Sequence, residues 1–66
     1  MHNFSVMNLS NKTQQNVNAD HPGHALVLAN PKLIGCNITI HTIDVGEFYV
    51  HNNFTFDNYI VRHLHS

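Results

Sequence analysis

Histidine is the most prominent residue type with a chemically active side chain in this sequence. Seven of the 66 residues are histidine. His63 and His65 are two positions apart in a segment with strand composition, so their rings should project from one face of a strand. A third imidazole from a neighbouring strand would complete a ligand set that suits zinc. The sequence therefore predicts His63, His65 and His51 as a candidate metal site.

Other residues extend this metal hypothesis or compete with it. His41 could replace His51 as the third ligand, and Cys36 could supply a fourth. The His-Pro-Gly-His segment at 21–24 is a second candidate, although Pro-Gly predicts a turn there. Alternatively, the histidines are neutral polar residues on a surface with few charges, and the protein binds no cofactor. No cysteine pair or helical histidine pair gives a recognised ligand signature.

The residue types of a catalytic triad are present, but their arrangement does not predict a catalytic site. Cys36 or a serine would need a histidine and an orienting carboxylate beside it. A chain of 66 residues leaves little room for both a core and an enclosed pocket of several hundred Å³. Its three glycines are isolated, so no phosphate-binding loop is predicted. We therefore expect no enzymatic activity.

Asparagine forms an unusual number of glycosylation motifs. The Asn-x-Ser/Thr motifs begin at Asn3, Asn8, Asn11, Asn37 and Asn53. Such motifs are used only in exported proteins. The N-terminal residues lack the basic and apolar segments of a signal peptide. We therefore expect a location in the cytoplasm, for example of a host cell, or in a virion.

Composition excludes several classes of protein. Charged residues make up 11% of the sequence, against roughly 25% in an ordinary domain, and the formal net charge is −1. This balance provides no basic surface for nucleic acid or an anionic membrane. The longest apolar run, residues 25–29, is far shorter than a membrane helix. The single cysteine excludes an internal disulfide.

Polarity changes near residue 24 and predicts two regions. Residues 1–24 are polar and are expected to form an extended or disordered arm that adds little to a core. Residues 25–66 carry most of the β-branched and aromatic residues, cut into short pieces by turn residues. The sequence thus predicts a small all-β unit, a short-stranded antiparallel meander without any helix longer than about two turns.

The aromatic residues around Asn52-Asn53 predict a hairpin register. A three-residue loop over 51–53 would pair Val50 with Phe54 and Phe48 with Phe56, which places all four on one buried face. Asn53 would take the left-handed position of that loop. Segment 36–45 should add to the same face.

That segment alternates in polarity over part of its length. Ile38 and Ile40 face one way, and the alternation slips at residues 42–43, which predicts a bulge or a strand end. Residues 33–45 also resemble residues 49–61 at an offset of sixteen positions. This internal similarity keeps stacked β-arches, as in a β-solenoid, open as an alternative fold.

Small size and low charge together favour a protein that is stable within an assembly. About forty residues rarely sustain a fold without a metal, a disulfide or a partner. The predicted strands also have few charges to protect their edges. We expect a structural protein of a larger complex, either a minor component of a virus or phage particle or another oligomeric building block. The alternative is a small intracellular binding module, such as a phage-encoded antagonist of a host protein, that docks through a β edge.

Overall fold

Five strands, one short α-helix and one 3₁₀ helix form the regular structure in the described part of the chain. The computed structural model describes residues 2–35 and 37–64. The elements are β1 (His2–Asn8), β2 (Thr13–Ala19), α1 (Pro22–Ala29), a 3₁₀ helix (Pro31–Leu33), β3 (Ile38–Asp44), β4 (Glu47–Asn52) and β5 (Asn58–Leu64). Strands account for 55% of these residues, so the prediction of a small all-β protein is confirmed. No helix in the described ranges has the length and apolar character needed to cross a bilayer.

All five strands belong to one antiparallel sheet with the order β2-β1-β5-β4-β3. Strands β3, β4 and β5 are consecutive neighbours and form the predicted meander. β1 pairs with the other side of β5, and β2 folds back on β1 as a hairpin. The sheet is not a closed barrel, and its antiparallel pairs differ from the stacked arches of the solenoid alternative.

The polar N-terminal segment is part of this sheet, so the prediction of a separate arm over residues 1–24 is wrong. β1 lies between β2 and β5, and its Phe4 and Val6 are buried in the core together with Ala19 of β2. A strand that packs only one face on a core needs apolar residues only at alternate positions. The polar residues that predicted an arm occupy the other face and the edge strand β2.

A helix of about two turns covers part of the sheet. Pro22 suits the first helical position because no N–H is needed there. The Nδ1 atom of His21 caps this end by accepting a hydrogen bond from the His24 N–H at 3.3 Å. Ala25 and Leu26 are buried, and α1 packs on β2, β1 and β5. The predicted His-Pro-Gly-His turn is therefore the start of a helix, whose length stays within the predicted limit.

The hydrophobic core lies between α1 and one face of the sheet. Its buried apolar residues are Phe4, Val6, Ala19, Ala25, Leu26, Leu33, Val50, Tyr59 and Val61. β3 contributes none of these residues, although its Ile38 packs against them. The core is consequently centred on β1 and β5, and β3 lies at its margin.

The β4–β5 hairpin has a longer loop than predicted. Val50 pairs with Tyr59 and Phe48 with Val61, so the predicted pairs with Phe54 and Phe56 are wrong. Both phenylalanines lie in the loop, 77% and 72% exposed.

Hydrogen bonds accepted by the Asn52 side chain help to hold this longer loop. The buried Oδ1 of Asn52 accepts from the backbone N–H groups of Phe54 at 2.8 Å and Thr55 at 3.2 Å. Phe56, rather than the predicted Asn53, adopts the left-handed conformation with φ of 63°. Tyr59 and Val61 then offer β4 an apolar face equivalent to the predicted one, while the loop keeps its backbone groups bonded.

The predicted irregularity in β3 is confirmed. The β3–β4 register shifts between Thr42 and Asp44. Before that point the ladder is regular from Ile38 to Thr42. Ile38 is partly buried as predicted, but Ile40 is 44% exposed.

Candidate functional site

The structure does not bring the predicted metal ligands together. His51 pairs with Asn58, and His63 follows Asn58 by five positions, or roughly 17 Å along a strand. Cross-strand partners share a face and successive residues alternate, so His51 and His63 also lie on opposite faces of the sheet. His65 and Cys36 lie outside the described residues.

The alternative ligand His41 shares the face of His51, because it pairs with Tyr49 in the same ladder. It is therefore also on the opposite face from His63. Within residues 2–35 and 37–64, no group of three or more histidine, cysteine, aspartate or glutamate side chains is arranged to hold a metal ion. Zinc binding thus receives no support from the described residues.

His63 instead belongs to an aromatic cluster with the N-terminal strand. The β1–β5 register places Phe4 opposite His63, and the ring centroids of these residues are 5.3 Å apart. The ring of His2 lies 5.0 Å from that of His63 in an edge-to-face arrangement. Sequence reasoning missed this cluster, because only the pairing of β1 with β5 brings the two histidines together.

This cluster borders a shallow pocket of about 290 Å³ at the end of the sheet nearest the start of α1. The lining residues are His2, Phe4, Asp20, His21, Pro22, Gly46, Phe48 and His63. Gly46 has a φ of 74°, and a Cβ atom there would lie 3.3 Å from the Cβ of His63. A side chain at position 46 would therefore be strained and would press on His63. The pocket combines imidazole and aromatic surfaces, and this chemistry alone selects no particular ligand.

The outer edge of β3 is a second candidate site. Residues of an antiparallel ladder alternate between hydrogen-bonded and non-hydrogen-bonded pairs. The Asn53 N–H donates to the Asn37 C=O at 2.9 Å, and these two residues flank the Ile38–Asn52 pair. That pair is therefore of the non-hydrogen-bonded kind, and the N–H and C=O groups of Ile38 point away from β4.

This orientation repeats at every second residue of the regular segment, so the backbone groups of Ile40 and Thr42 also point outward. In the described part of the chain, no strand pairs with this side of β3. The side chains along it are largely β-branched and exposed, for example Ile43 at 53%. Asp44 is the only charged residue of the strand. β3 thus presents an apolar, weakly charged edge with free hydrogen-bonding capacity.

The other edge strand, β2, has a different character. The Leu9 N–H donates to the Asn58 C=O at 2.9 Å, which marks Asn8 and Tyr59 as a non-hydrogen-bonded pair. Asn8 therefore directs its backbone groups towards β2, and the alternation continues from its partner Thr13. The outward-pointing residues of β2 are Gln14, Asn16 and Asn18.

Comparison with known proteins adds no relative to these observations. No protein-family model matches the chain, and neither a curated protein nor a solved structure matches it.

Proposed function

We propose that this chain is an assembly protein that binds a strand of another polypeptide along the outer edge of β3. The observation that carries the proposal is the row of outward-pointing N–H and C=O groups at Ile38, Ile40 and Thr42. An added strand would satisfy these groups and extend the sheet, which is the mode of recognition known as β-augmentation.

The side chains of β3 support this proposal. Proteins commonly protect free edges with lysine, proline or inward-pointing charges. β3 contains none of these, and its only charge, Asp44, lies beyond the register shift. Ile40 is 44% exposed at the middle of the strand, so a paired strand would remove apolar surface from water. An edge of this kind favours association over a solitary chain.

The same edge would serve either setting predicted from composition, a virus or phage particle or an intracellular binding module. The particle setting, the predicted cytoplasmic or virion location and the absence of nucleic-acid, membrane and enzymatic functions remain predictions from the sequence. The common element is a protein partner bound through main-chain hydrogen bonds.

A short synthetic strand tests the edge directly. The probe is a seven-residue peptide of alternating threonine and valine with blocked ends, added to the isotopically labelled full chain. We expect amide exchange at Ile38, Ile40 and Thr42 to slow by roughly tenfold or more, because exchange requires the new hydrogen bonds to open. Amides at Gln14 and Asn16 of the opposite edge should be unaffected.

Two proline variants provide matched controls. Ile40→Pro removes an outward N–H that makes no bond to β4, so the fold should persist while peptide protection is lost. Asn16→Pro makes the equivalent change on β2 and should leave protection of β3 intact. Unchanged exchange along β3 at saturating peptide, or equal protection of both edges, would contradict the proposal.

A further inference from the structure

We infer that the strand bound by β3 is β3 of a second copy of the chain, antiparallel and related by a two-fold axis through Ile40. This inference rests on the proposed function, and it specifies the partner and the register. Two identical copies joined in this way would form one continuous ten-stranded sheet, since each contributes the five strands of its own. The contact would be isologous, with the same residues used on both sides.

The position of the axis follows from the regular part of β3. This part begins at Ile38 and ends at Thr42, where the register shifts, and its centre is Ile40. An axis at that point pairs Ile38 of each copy with Thr42 of the other, and Ile40 with Ile40. All three residues direct their N–H and C=O groups outward, so every pair can form the reciprocal hydrogen bonds of an antiparallel ladder.

The side chains are compatible with this register. Ile38, Ile40 and Thr42 project on the core side of the sheet, so each apolar side chain meets another on the same side across the axis. Thr39 would pair with His41 of the second copy on the opposite side. The regular segment carries no lysine, arginine, aspartate or glutamate, and the formal net charge is only −1 per chain. Repulsion between copies at neutral pH is therefore small.

Competing arrangements use the edges less well. An axis through His41 would place two imidazoles opposite each other and would oppose Ile38 to Asp44, beyond the irregular Ile43. Pairing through β2 would bring the amide side chains of its outward residues together and cover less apolar surface. The Ile40 axis is the one that uses the whole regular segment.

The size of this contact sets the expected strength. Stable specific interfaces usually bury at least about 1,200 Å² of surface. An edge contact of only five paired residues on each copy should bury less than that. We expect a concentration-dependent dimer at micromolar concentration rather than a permanent one. Sedimentation of the unmodified chain should show the average mass rising from monomer to dimer over that range.

Disulfide trapping tests the register. In a Cys36→Ser background, two variants are made, Thr39→Cys and His41→Cys. The inferred register places position 39 of one copy beside position 41 of the other in a non-hydrogen-bonded pair, with a Cα separation of about 4.5 Å, which suits a disulfide. A mild thiol oxidant added to the mixed variants should give the crosslinked 39–41 dimer, whereas each variant alone should give little.

Each other outcome contradicts a specific step. Efficient crosslinking of His41→Cys with itself would move the axis to His41 and overturn the register. A chain that stays monomeric and uncrosslinked, but still binds the threonine-valine peptide along β3, would overturn the second copy as partner and leave the proposed function intact. If the peptide also fails to protect β3, the proposed function fails as well. Circular dichroism of both cysteine variants establishes that they remain folded.

Discussion

The two edge strands of the sheet, β2 and β3, both have unpaired backbone groups but carry different side chains beside them. β2 and β3 each contain seven residues and leave alternate backbone groups unpaired in the described chain. The outward residues of β2 carry amide side chains, and one of them, Gln14, bonds back to the Ser5 hydroxyl at 2.6 Å. Those of β3 are β-branched and include the half-exposed Ile40. β2 thus presents polar side chains to water at its edge, whereas β3 presents an apolar edge that favours association.

The position of α1 accounts for much of this difference. The helix packs on β2, β1 and β5, and Ala19 at the end of β2 is buried. β3 lies two strands beyond β5, where little of the helix reaches. Ile40 and Ile43 of β3 therefore stay exposed, whereas Ile38 packs against the margin of the core. In this protein, α1 covers part of the sheet on the side of β2 and leaves the β3 edge largely uncovered.

The largest expected effect is on the free energy of unfolding, and it distinguishes a core residue of β1 from an exposed residue of the β4–β5 loop. Phe4→Ala should lower the free energy of unfolding by about 3–5 kcal/mol, because it leaves a cavity in the core under α1. Phe54→Ala, at an exposed loop position, should change it by less than about 0.5 kcal/mol. Urea unfolding followed by circular dichroism compares the two. A smaller loss for Phe4→Ala than for Phe54→Ala would mean that the N-terminal hairpin does not belong to the core.

A second effect concerns the loop that borders β3. Asn52→Ala should destabilise the fold by about 1–3 kcal/mol, because two loop N–H groups lose their acceptor. The loop also contacts β3 through the Asn53 Nδ2, which donates to the Thr39 hydroxyl at 2.8 Å. Faster amide exchange should therefore spread into β3 but not into β2. Asn16→Ala, at an exposed position on β2, serves as the matched control, and equal losses for both variants would contradict this role of Asn52.

The third test introduces a positive charge at the edge of β3. Ile40→Lys should weaken self-association at least tenfold, or about 1.4 kcal/mol, because two ammonium groups would meet at the axis. Asn16→Lys adds the same charge to β2 and should leave association unchanged. Sedimentation equilibrium at several concentrations measures both. Similar weakening by the two substitutions would assign the effect to net charge and not to the β3 edge.

The strand-rich fold was predictable, but the pairing of β4 with β5 was not. Two apolar pairs follow Val50 at the correct spacing, Phe54 with Phe56 and Tyr59 with Val61. Periodicity alone favours the shorter loop. In the longer loop, the Oδ1 of Asn52 accepts from the N–H groups of Phe54 and Thr55. This is a local turn contact, but asparagine occurs in turns of several kinds and does not by itself select one loop length.

The histidine site depended on that same register. The spacing of residues on a single strand predicts the face from which the His63 side chain projects. The face of His51 and its position along the sheet depend on the register of the β4–β5 hairpin. The longer loop places His51 opposite Asn58 and away from His63. The neighbour that His63 does acquire, His2, comes from the other end of the chain.

By itself, the sequence determined the β-strand content, the low charge, the irregularity after Thr42 and a scarcity of residues that protect an edge. These are properties of composition and of alternation over a few residues. Only the tertiary structure decided that β1 lies between β2 and β5, that α1 covers one side of the sheet and that β3 remains at the margin. The reason is that strand order depends on hydrogen bonds and buried area between residues far apart in the chain. Locally, a polar segment with apolar residues at alternate positions is compatible with either an extended arm or a strand of the sheet.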